Sequence, residues 1–80
     1  MSAILERVIY LDEVAEFLAT RPSPDEMLAF QPSEDVEARF AELVANQRSV
    51  GLSDEEQEEL EQFRQTEMLL RLLKARLRRG

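Results

Sequence analysis

Apolar residues recur along this chain at spacings of three and four, the period of one helix face. Ile4, Val8, Leu11, Ala15 and Leu18 form the first such stripe, with Val14 beside it, while Glu6, Asp12, Glu13 and Glu16 point elsewhere. This spacing predicts a core-facing helix over 3–20. Ile9, Tyr10 and Phe17 fall off the stripe and need a second contact in that helix. Val8-Ile9-Tyr10-Leu11 also has the composition of a strand, so residues 4–11 stay open between the two conformations. Thr20-Arg21-Pro22 closes the element, because a proline biases the residue before it away from the α region.

Ser23-Pro24-Asp25-Glu26 then reads as a helix start, with serine at the N-cap, proline at the first helical position and acids in the first turn. A short helix over 24–30 follows, its face formed by Met27, Leu28 and Phe30, before Gln31-Pro32 interrupts it. Ser33-Glu34-Asp35 opens a third helix over 33–48, in which Val36, Phe40, Leu43 and Val44 make a narrow core stripe, and Gly51 ends it or the turn that follows. Ser53-Asp54-Glu55-Glu56 has the spacing of a capping box. From there to Arg79 neither proline nor glycine intervenes, acids crowd the first turns and bases the last, so one long helix over 53–79 is expected. The predicted fold is all-α, a small bundle of three to four helices with a long C-terminal helix, in a single domain covering 1–80.

That last helix carries more apolar surface than one neighbour can cover. Phe63, Leu70, Leu73 and Leu77 make an ordinary stripe, widened by Leu69, whereas Met68, Leu72 and Ala75 lie outside it. From Met68 to Leu77 the apolar arc spans roughly 220°, about twice what packing on one helix requires. Either the small bundle wraps around the helix and uses both faces, or the second face is buried between molecules. A chain this short has few helices to do the wrapping. Met68, Leu69, Leu70, Leu72, Leu73, Arg76 and Leu77 are therefore the expected partner-binding residues.

Composition narrows the functional classes. With 80 residues the core is thin, and there is no cysteine to staple it, so a partner subunit is a natural source of stability. No run of about 18 apolar residues and no basic segment leading into an apolar run is present, and the chain is expected to be cytoplasmic, without a membrane span. The formal net charge of −7 is unevenly placed: residues 1–70 hold all 17 acids and 5 of the 10 bases, and residues 71–80 hold the other 5. An acidic body repels phosphates and attracts a basic protein, so nucleic acid is not an expected partner.

Chemistry has little to work with. The chain lacks histidine and cysteine and has only 2 glycines, so an imidazole base, a thiolate nucleophile and a phosphate-cradling loop are all missing. Ser2, Ser23, Ser33, Ser49 and Ser53 lie at helix starts or turns with no base near them in sequence. No enzyme activity, cofactor or metal is expected. Arg71, Lys74, Arg76, Arg78 and Arg79 read as complements of a helix C-terminus before they read as phosphate ligands, since no aromatic residue is interleaved with them. The acids Asp54, Glu55, Glu56, Glu58, Glu59 and Glu61 read as a solvated face with a dipole role, ahead of mimicry of nucleic-acid phosphates.

Three stretches together are similar to one known group: Leu5-Glu6-Arg7-Val8-Ile9 leading to Ala15-Glu16-Phe17-Leu18-Ala19; Arg21-Pro22-Ser23-Pro24-Asp25-Glu26 with Ala29-Phe30 and Pro32-Ser33; and Leu52-Ser53-Asp54-Glu55-Glu56 through Leu72-Leu73-Lys74-Ala75-Arg76. The chain resembles, over nearly its whole length, small acidic bacterial proteins frequent in cyanobacteria and similar to antitoxins encoded beside small nuclease toxins. The resemblance implies a protein that neutralises a basic, nuclease-type partner. It supplies no catalytic or ligand-binding residues. Members often carry a histidine near the position of Glu67-Met68, and its absence here speaks against any role that needs an imidazole. A homodimeric scaffold, with the last helix pairing with its own copy in an antiparallel bundle, is the second expectation.

Overall fold

The computed structural model describes residues 9–79. They form four α-helices and no strand: α1 (Ile9–Ala19), α2 (Pro24–Ala29), α3 (Glu34–Ser49) and α4 (Asp54–Arg79). The all-α class and the long C-terminal helix agree with the hydrophobic pattern, and Ile9, Tyr10 and Leu11 are helical. The expected start of the first helix at residue 3, the places of Ile4 and Val8 in its stripe, and the strand alternative over 4–8 lie outside the described residues.

The starts of α2, α3 and α4 and the end of α3 are set by nearby side chains and turns. At α2 the Ser23 hydroxyl accepts from the Glu26 N–H at 3.1 Å, and the Glu26 carboxylate accepts from the Ser23 N–H at 2.8 Å. Ser53 and Glu56 repeat that reciprocal pair at the start of α4, at 3.1 and 3.0 Å. The Ser33 hydroxyl likewise accepts from the Val36 N–H, but valine cannot reach back. Instead the Ser33 N–H donates 2.8 Å to Glu13 Oε1 of α1, so one helix completes the cap of another. α3 ends where the N–H groups of Val50 and Gly51 both donate to the Asn46 carbonyl, with Gly51 at φ 87° in the left-handed region glycine tolerates.

The three shorter helices pack chiefly on α4 and little on one another. At 1.5 Å per residue α4 is about 39 Å long, close to the 43 Å longest dimension of the molecule. Its inward face contributes Leu60, Phe63 and Leu70 to the core, which Tyr10 and Val14 of α1 and Val36 and Leu43 of α3 complete. Phe63 is the central ring, 5.8 Å from Tyr10 in an edge arrangement and 6.1 Å from Phe40. Phe17 and Phe30, at 4.5 Å, tie the end of α1 to that of α2.

The core face of α1 differs from the expected one. Tyr10, Val14 and Phe17, at i, i+4 and i+7, face inward, while Leu11, Ala15 and Leu18 of the expected stripe are exposed. The two stripes are offset by one residue, about 100° around the helix. The aromatic one wins because Tyr and Phe each bury about 150–250 Å², more than Leu or Ala can, and because the Tyr10 hydroxyl finds an acceptor. In α3, Val36 and Leu43 are buried as expected and Val44 flanks them, but Phe40 lies at the rim, 39 % exposed.

Candidate functional site

α4 presents two faces separated by its core stripe. On the outward one, Met68, Leu69 and Leu72 are 54 %, 51 % and 48 % exposed. They are consecutive on the helix surface, and Gln65 precedes them at the same spacing. Leu69 and Leu11 of α1 line a shallow groove together with Gln62, Gln65 and Thr66. Thr66 is buried there without penalty, since its hydroxyl donates 2.8 Å to the Gln62 carbonyl. The Gln62 side-chain oxygen is buried with no hydrogen-bond partner.

The residues expected to bind a partner thus separate into groups. Met68, Leu69, Leu72 and Arg76 lie on the exposed surface, Leu73 and Leu77 are half-buried, and Leu70 is 7 % exposed and belongs to the core, so its side chain is not offered to another molecule. Leu70 falls inward because it continues the Phe63 stripe at i+7. Leu69, expected to widen that stripe, points outward instead. The described helices cover one side of α4, and on the other Met68, Leu69 and Leu72 are half-exposed.

Acid and base are distributed asymmetrically around this strip. Glu61 stands on its N-terminal side, where Gln65 Nε2 donates to Glu61 Oε2 at 3.4 Å, and exposed Arg76 stands on its C-terminal side. The acids of the first half of α4 are not uniformly solvated as the sequence predicts. Glu59 is 6 % exposed, and its two oxygens accept from Nε and Nη2 of Arg39 on α3, both at 2.8 Å. Arg39 Nη1 also donates to Glu42 Oε1 at 2.8 Å. The hydrogen bonds to Glu59, ahead of the cost of burial, push the Arg39 guanidinium pKa further up. This is a bidentate clamp between α3 and α4. Glu59 lies one turn before Phe63 on the core stripe, which was the signal in the sequence, though nothing there names Arg39 as its partner.

A second concavity, of about 470 Å³, opens on the other side of α4, between Tyr10, Phe30, Val36, Phe40 and Phe63, with Arg71 and Lys74 at its edge. Two of its polar groups are engaged inside the fold. The Tyr10 hydroxyl donates 2.7 Å to Glu67 Oε1, and Lys74 Nζ donates 2.8 Å to the Phe30 carbonyl, which holds the α2–α3 connection on α4. Burial holds the Tyr10 phenol well above its ordinary pKa, and the bond to Glu67 and the charges of Glu67, Glu13 and Glu37 raise it further. Lys74 is therefore a structural anchor in addition to a dipole complement.

No group of His, Cys, Asp or Glu side chains suited to a metal ion occurs among the described residues, and none of their helices is long and apolar enough to cross a membrane. No family model matches the chain, and no curated protein or solved structure matches it either.

Proposed function

We propose that this chain is a non-catalytic helical interaction module of antitoxin type, which docks on a basic, nuclease-type protein through the outward strip of its C-terminal helix. The observation that carries this reading is the half-exposure of three adjacent large apolar side chains, Met68, Leu69 and Leu72, on a helix whose other face already supplies the core. Leu11 and Leu18 of α1 extend the apolar surface, and both are exposed. The net charge of −7 steers a basic protein toward the molecule and raises its rate of encounter. The resemblance to small acidic antitoxins agrees with the partner's chemistry. Leu72→Glu is the decisive variant, because its side chain is outside the core. The substitution weakens capture of the basic partner by more than tenfold while the isolated chain keeps its helical circular dichroism. Affinity capture at low salt with the wild-type and variant chains, followed by nuclease inhibition assays on what is retained, tests this. Equal capture by both chains removes the strip from the reading, and unfolding of the variant makes Leu72 a core residue.

A further inference from the structure

The groove on the outer side of α4 has a specific geometry. Gln62, Gln65, Thr66 and Leu69 stand at i, i+3, i+4 and i+7, the four positions that form one hole in knobs-into-holes packing, and Leu11 of α1 closes its side. The same face also carries a knob. Leu72 projects one turn beyond the hole and is half-exposed.

We infer that the occupant of this groove is a second copy of the chain, with the two α4 helices antiparallel and Leu72 of each seated in the hole of the other. The inference rests on the reading of the outward strip as an interface and names what covers it when no other protein is bound. Register follows from the hole. With Leu72 opposite Gln65, at the centre of the four residues, the two-fold axis passes between Met68 and Leu69, which then face each other across it. The same register sets Arg76 opposite Glu61, twice by symmetry.

Charge selects the direction. Parallel pairing would place Arg76 against Arg76 and Glu61 against Glu61, whereas the antiparallel arrangement opposes acid to base at both ends. Such rim pairs add little affinity, but the repulsion in the alternative fixes orientation. The strip carries both signs, and a reversed copy of itself is the complement of both. A thin core without disulfides gives the chain reason to bury this surface. Capture of another protein on the strip then competes with the second copy.

Sedimentation equilibrium of the full chain at micromolar concentration and low salt should show a species of twice the 9.3 kDa chain mass. Glu61→Arg and Arg76→Glu each weaken that association by about tenfold, and mixing the two variants restores it, because each altered residue meets its complement in the other chain. The chain has no native cysteine, so Gln65→Cys and Leu72→Cys copies, once mixed, give a disulfide-linked dimer, while Leu72→Cys alone does not. A chain that stays monomeric at several hundred micromolar overturns the proposal. So does a mixture of the charge variants that fails to recover, or ready cross-linking of Leu72→Cys to itself. The interaction reading fails separately, when the wild-type chain retains no basic protein whatever its own mass.

Discussion

Tyr10 is where burial, hydrogen bonding and charge converge on one side chain. Its phenol is buried, bonded to Glu67, and neighboured by further carboxylates at Glu13 and Glu37, so its pKa is raised in the fold. The unfolded chain releases that proton near the ordinary value of about 10. Above it the unfolded state binds fewer protons than the native one, so stability is complete below pH 10 and falls as pH rises through the gap. The slope from this one group is at most about 1.4 kcal/mol per pH unit. Tyr10 is the sole tyrosine, so alkaline difference absorbance reads it alone, and it should ionise with unfolding rather than before it. Tyr10→Phe should cost about 1 kcal/mol at neutral pH and flatten the alkaline limb of urea-unfolding free energies by the amount assigned to the phenol. Equal alkaline slopes in both chains would detach the effect from Tyr10. Glu59 makes the complementary point: a carboxylate enters the core when its partner is a guanidinium in fork geometry.

Among elements, α1 tests the packing most sharply, because it carries two apolar stripes and buries only one. Val14→Ala opens a cavity in the buried core and should destabilise the chain by about 2 kcal/mol. Leu18→Gln, on the exposed stripe, should change stability by less than about 0.5 kcal/mol. Chemical denaturation of the two variants decides between the stripes, and the reverse ranking would restore the Leu11–Ala15–Leu18 face to the core. The choice was illegible in sequence because both stripes have helical period, and only the aromatic area and the Glu67 acceptor, 57 positions away, separate them. Local signals were legible. Ser23, Pro24, Ser33 and Ser53 mark the starts of α2, α3 and α4 within a residue, and Gly51 follows the last residue of α3 by two, since caps and turns depend on the nearest few residues. The surplus apolar arc of α4 was legible too, and with it the exposure of Met68 and Leu72. The direction of Leu69 was not: its spacing lets it widen the core stripe beside Leu70, yet in the fold it is half-exposed.

At the scale of the whole molecule, three shorter helices on one long one give a core that among the described residues holds seven buried apolar side chains, while three large apolar residues on the opposite side of the long helix stay half in water. Folding and association then draw on the same helix, and they are linked: a copy that binds only the folded chain stabilises it by mass action. Each tenfold rise in concentration above the dissociation constant adds about 1.4 kcal/mol per dimer, or about 0.7 kcal/mol per chain. For a domain of this size that corresponds to about 3–5 °C in Tm. Thermal unfolding followed by circular dichroism from a few to several hundred micromolar should show this rise in the wild-type chain and none in Leu72→Glu, whose charge blocks the knob. A slope of this size means that the dimer persists at the melting temperature and binds the folded chain alone. A flat wild-type Tm across that range means that no folded dimer persists at the melting temperature and that the fold of the single chain sets it.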